Sequence, residues 1–87
     1  MVEYTIVIKR SAEKEIAELP LFIVEKLYQE FIKLALNPRP SGVKKLSGFK
    51  NLYRIRINDY RVIYSIQNEE LIVHILKVGH RKDVYKF

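Results

Sequence analysis

The sequence predicts an α+β domain in which a small antiparallel β-sheet packs against an N-terminal helical hairpin, in the order β-α-α-β-β-β. Three observations predict it. A β-branched alternating run occupies residues 2–9, an apolar stripe of helical spacing fills 21–36, and three alternating runs joined by short polar turns cover 52–78. Strands joined by short turns form a meander, and helices gathered at one end of the chain cover one of its faces. With 87 residues, there is material for one domain (1–87) with one modest core.

Each element has a local reason. In VEYTIVIK, Tyr4, Ile6 and Ile8 share one side of a strand. Ser11 then reads as an N-cap for a short helix carrying Ala12, Ile16 and Leu19, which Pro20 ends. A second helix runs from Leu21 to Leu36, its stripe formed by Val24, Leu27, Phe31 and Leu34 or Ala35 and widened by Tyr28 and Ile32. The stretch NPRPSGVKKLSG, rich in proline and glycine, reads as a loop bearing Arg39, Lys44 and Lys45. Strands at 52–57, 60–66 and 71–78 follow, turning at Asn58-Asp59 and Asn68-Glu69. The first strand must join this meander through a long connection.

The charge is strongly one-sided. Sixteen Lys and Arg against ten Asp and Glu give +6 at neutral pH, a field that suits a phosphate-rich or acidic partner. In LYRIRI, Arg54 and Arg56 point away from Tyr53, Ile55 and Ile57; in YRVIYSI, Arg61 and Ser65 lie opposite the apolar set, with Ile63 between them. If the helices leave that face open, a hairpin offers three arginines on it, and guanidinium matches phosphate geometry. Gly79 then reads as a turn that brings Arg81 and Tyr85 toward the same face. Lys44, Lys45, Lys77, His80 and Lys82 are assigned to nucleic-acid binding around it. His80 has a free pKa suited to a general base, yet a lone histidine after a strand is more often a bystander. His74 and the tyrosines at 4, 28, 53, 60 and 64 fall in apolar patterns and read as packing.

Other chemistries find no support. There is no cysteine, hence no disulfide or thiolate site. Two histidines and scattered carboxylates make no metal-ligand pattern, and the isolated glycines form no phosphate loop. No cofactor is expected. Without a signal-like N-terminus or an apolar run long enough for a membrane span, the expected location is the cytoplasm, with no membrane partner.

The segment LSGFKNLYRIRINDYRVIYSI, followed by a strand and VGHRKDVY, resembles the RelE/ParE superfamily of toxin–antitoxin systems, and the likeness extends over nearly the whole chain. RelE-like members are ribosome-dependent endonucleases that cleave mRNA in the decoding site, whereas ParE-like members poison DNA gyrase. The resemblance implies Arg54, Arg56, Arg61, Arg81 and Tyr85 as the catalytic set of the nuclease branch. It also implies a cognate RelB-like antitoxin, and the ribosome with its mRNA as target. The basic pair is Arg-Arg where lysines are familiar, which leaves the general base unassigned. Three readings follow: a ribosome-dependent mRNA interferase, a non-catalytic ParE-like gyrase toxin, or an inactive toxin fold kept as a binding module.

Overall fold

A computed structural model describes residues 3–80, and the α+β architecture is as expected. Strand β1 (Thr5–Ile8) leads into helices α1 (Arg10–Ala17) and α2 (Leu21–Leu36), followed by β2 (Lys44–Lys45), β3 (Leu52–Ile57), β4 (Tyr60–Gln67) and β5 (Ile72–His80). The five strands form one sheet in the order β1-β5-β4-β3-β2. The meander β2–β5 is antiparallel, and β1 pairs with β5 in parallel, Ile6 beside Val73 and Ile8 beside Ile75. The long connection expected for the first strand is the helical hairpin itself, since parallel neighbours need a crossover.

Four local readings change. Ser11 lies inside α1; the N-cap position is Lys9, without a side-chain cap. The proline-rich stretch expected as loop contains β2, too short and too exposed to leave an alternating pattern in the sequence. On α2 the expected stripe of Leu27, Phe31, Leu34 and Ala35 is buried, but Ile23 takes the core place expected of Val24, and the widening residues Tyr28 and Ile32 are 46% and 66% exposed. The last strand continues through Gly79 to His80, because the ladder persists to Arg61↔Gly79 and Tyr60↔His80. Gly79 is a strand residue and not a turn.

One face of the sheet carries the core. Tyr53, Ile55 and Ile57 of β3 join Val62, Tyr64 and Ile66 of β4 and Val73, Ile75 and Val78 of β5, packed under Ala12 and Ile16 of α1 and the buried stripe of α2. Each such buried side chain contributes about 1.5–3 kcal/mol relative to exposure, which is what holds a helix as short as α1 in place. Tyr53 and Tyr64 stack with ring centroids 5.9 Å apart. The Tyr64 hydroxyl donates to Pro38 O at 2.7 Å, and burial pushes its pKa well above the ordinary phenol value, so it remains a donor. Arg39 lies over the Tyr53 ring at 5.3 Å and donates from Nε to its hydroxyl at 3.3 Å. These contacts fasten the loop between α2 and β2 to the sheet.

The buried positions of β5, Val73, Ile75 and Val78, break the two-residue period. A bulge is responsible: Tyr64 faces Ile75 but Ile63 faces Lys77, leaving Leu76 as the extra residue. Beyond the bulge the phase is reset, so Val78 enters the core and Lys77 and Gly79 turn to the other face.

Candidate nucleic-acid interface

The face of the sheet away from the helices is built by register. Lys44 pairs with Arg54, Arg54 with Ile63, and Ile63 with Lys77, which makes one row across four strands. A second row runs Arg56, Arg61, Gly79. Cross-strand partners project to the same face, so Lys44, Arg54, Arg56 and Arg61 share it, with Lys77 at its border. Among the described residues, no strand of the sheet contains an acidic residue.

The groups within it differ in setting. Arg56 is exposed, and its Nε donates to Asn58 O at 3.2 Å across the β3–β4 turn. That turn closes because Asn58 adopts φ 54°, a left-handed conformation that asparagine tolerates better than most residues. Arg54 and Arg61 are half-buried, and the Nε of Arg61 is shielded from solvent. Ile63, whose side chain belongs to this face by register, is fully buried between Arg54 and Lys77. An apolar floor of this kind suits long cationic side chains, whose methylene stems cover it while their charges reach water. Gly79 contributes no side chain beside Arg61.

Arg56 and Arg61 stand directly opposite one another, and like charges so placed repel. Arg56→Gln is therefore expected to stabilise the fold in 10 mM salt by about a few tenths of a kcal/mol and so raise the melting temperature, with the gain gone at 1 M salt, where the repulsion is screened. Thermal melts at the two salt concentrations check this; a variant melting below wild type in both would mean that the pair is not repulsive.

The remaining expected residues separate into three groups. Lys77 donates to Glu15 Oε2 of α1 at 3.0 Å, and the second oxygen of that carboxylate accepts from Val78 N–H, also at 3.0 Å. Glu15 thus occupies the edge of β5 just past Ile75, where β1 has ended, and cancels much of the Lys77 charge. Lys45 pairs with Tyr53 and His80 with Tyr60, so both belong to the helix side of the sheet; His80 meets Tyr60 edge-to-face at 5.9 Å. Arg81, Lys82 and Tyr85 lie outside the described residues. Ile63 lies on this face as strand alternation predicts, and Glu15 is the contributor that sequence reasoning missed. Glu15 carries no sequence signal, because its role depends on which strand α1 packs beside.

The family model described as ParE toxin of type II toxin-antitoxin system, parDE, matches residues 6–85. The mRNA interferase toxin RelE of Escherichia coli is 29% identical over 73 residues, covering 82% of this chain and 76% of that protein. Toxin RelG of Mycobacterium tuberculosis is 29% identical over 84 residues, covering 95% and 97%. Among solved structures, the archaeal RelE–RelB complex from Pyrococcus horikoshii superposes with a TM-score of 0.84 at 31% identity, covering 95% of this chain and 100% of that one.

Proposed function

Because the chain belongs to the RelE/ParE family of type II toxins, on its RelE-like branch, we propose that it is a ribosome-dependent endoribonuclease that cleaves mRNA in the decoding site and is neutralised by a RelB-like antitoxin. The observation that carries this reading is the pair of basic cross-strand rows, with Arg56 opposite Arg61, on a sheet free of acidic residues.

The chemistry needs the 2′-OH to lose its proton and attack the adjacent phosphorus while the 5′-oxygen leaves with a proton, giving a 2′,3′-cyclic phosphate. Negative charge gathers on the phosphorane, and fixed guanidinium groups stabilise it. Arg61, half-buried above an apolar floor, has the setting for that task, and Arg81 joins it in this reading. Arg54 and Arg56 hold the flanking phosphates with Lys44, while Tyr85 orients the base. No described group in the rows is a ready general base, which supports a site completed on the ribosome and not on free RNA. An antitoxin inhibits by covering the same positive face with an acidic segment that orders on binding.

The test compares programmed ribosomes with naked mRNA at one protein concentration. Cleavage is expected only with ribosomes, leaving 2′,3′-cyclic or 3′-phosphate ends, and robust cutting of free RNA would refute ribosome dependence. The ParE description of the family model favours a second reading, a gyrase poison without nuclease chemistry. Inhibition of DNA supercoiling with no cut on ribosomes would select it.

A further inference from the structure

Past its bulge, strand β5 has a ladder on one side only. Strand β1 pairs with it as far as Ile8↔Ile75 and then ends, its last tie being Lys9 N–H to Ile75 O at 2.9 Å. Among the described residues no strand continues beside residues 76–80 on that side, while β4 pairs on the other as far as Tyr60↔His80. Val78 N–H faces the edge that β1 has left, where it donates to a Glu15 carboxylate oxygen at 3.0 Å. By alternation the N–H groups of Lys77 and Gly79 then turn toward β4.

The place of Glu15 on α1 makes this contact. It follows Ala12 by three residues and precedes Ile16, so it lies on the flank of the stripe that the helix buries. Of Glu13, Glu15 and Glu18, it alone is half-buried. Its other oxygen takes Lys77 Nζ at 3.0 Å, so one carboxylate ties two consecutive residues directly after the bulge. Burial of the Val78 side chain selects the phase of this segment, but a side chain on one face does not fasten the backbone along its edge. A hydrogen bond to a carboxylate does. The next residue is Gly79, the cross-strand partner of Arg61, and glycine inside a strand weakens it. Support is needed most at this pair.

We propose that Glu15 is a positioning residue: standing in for the next residue of β1, it holds the end of β5 against β4 and so keeps Arg61 in a fixed place on the basic face. Its effect on the strand is independent of any chemistry, whereas its effect on rate rests on the interferase reading.

Amide hydrogen exchange and single-turnover cleavage on programmed ribosomes, both with the full chain, test this. In Glu15→Ala the amide of Gly79, and not only that of Val78, is expected to exchange about 10-fold faster or more. Cleavage is expected to slow by about 10-fold, less than the ~10²-fold that a displacement near 1 Å can cost. Ribosome affinity is not expected to weaken, since Lys77 is freed at the same time. Glu15→Gln keeps an acceptor for Val78 N–H and is expected to recover most of both losses. Glu15→Leu, which fills the place without an acceptor, carries the same expectation as Glu15→Ala should that variant fail to fold. In an Arg61→Ala background, Glu15→Ala is expected to cost no further rate, a result that general destabilisation would not reproduce. Wild-type exchange at Gly79 in a folded variant would overturn the proposal, as would a rate loss that persists undiminished without Arg61. A wild-type chain that cuts nothing on ribosomes would refute the interferase reading, and the exchange at Gly79 would still decide whether Glu15 holds the strand.

Discussion

Arg61→Ala is expected to slow cleavage on programmed ribosomes by about 10²-fold, ~2.7 kcal/mol of transition-state stabilisation, while ribosome affinity changes by only a few-fold. The reason is its setting. Arg61 lies mid-row with Arg56 on one side and the side-chain-free Gly79 on the other. Its Nε is shielded from water, where a charge acts through a lower effective dielectric than at the surface. A guanidinium held this way can meet developing phosphorane charge without reorganising. Arg61→Lys keeps the charge but loses the paired donors, and about 10-fold is the expected loss. Single-turnover cleavage at saturating ribosomes separates the rate from affinity, which a parallel titration measures. A folded Arg61→Ala chain that cuts at the wild-type rate would remove Arg61 from the chemistry.

The arginine face was legible in the sequence because a strand's period is two and both arginine-bearing strands keep it. Arg54 and Arg56 alternate with buried Tyr53, Ile55 and Ile57, and Arg61 with Tyr60 and Val62. Strand β5 does not keep that period. Its bulge at Leu76 resets the phase, and a reset moves every later side chain to the opposite face. For that reason Gly79 could be mistaken for a turn, and His80 for a neighbour of the arginines when it belongs beside Tyr60. Lys77 illustrates a further limit. Its side chain belongs to the basic face by register, yet Glu15, 62 positions earlier, takes its charge. On α2 the stripe of Leu27, Phe31, Leu34 and Ala35 was legible but its flanks were not, because both are apolar: Val24, Tyr28 and Ile32 compete with Ile23 for the core. Packing against β1 and β3 decides between them.

The double variant Arg54→Ala/Arg56→Ala is expected to invert the Arg61 result, weakening ribosome binding by about 10- to 100-fold at 0.15 M salt while leaving the rate at saturation much less affected. Arg56 is exposed and faces Arg61, and Arg54 is half-buried beside Lys44, so in the proposed reading these groups are expected to contact phosphates chiefly as charges. Each phosphate contact contributes about 0.7–0.9 to the slope of log affinity against log salt. Removing two should lower the slope by about 1.4–1.8. Lys77→Ala is the informative control, since Glu15 already pairs with that ammonium. Its slope should hardly move, although the lysine borders the same face. Titrations from 0.05 to 0.3 M salt decide the matter. If Lys77→Ala lowers the slope as much per charge as the arginine pair, net charge and not placement governs binding. If instead the double variant binds normally but cuts slowly, Arg54 and Arg56 belong with Arg61 in stabilising the transition state, and the division between holding the substrate and acting on it fails.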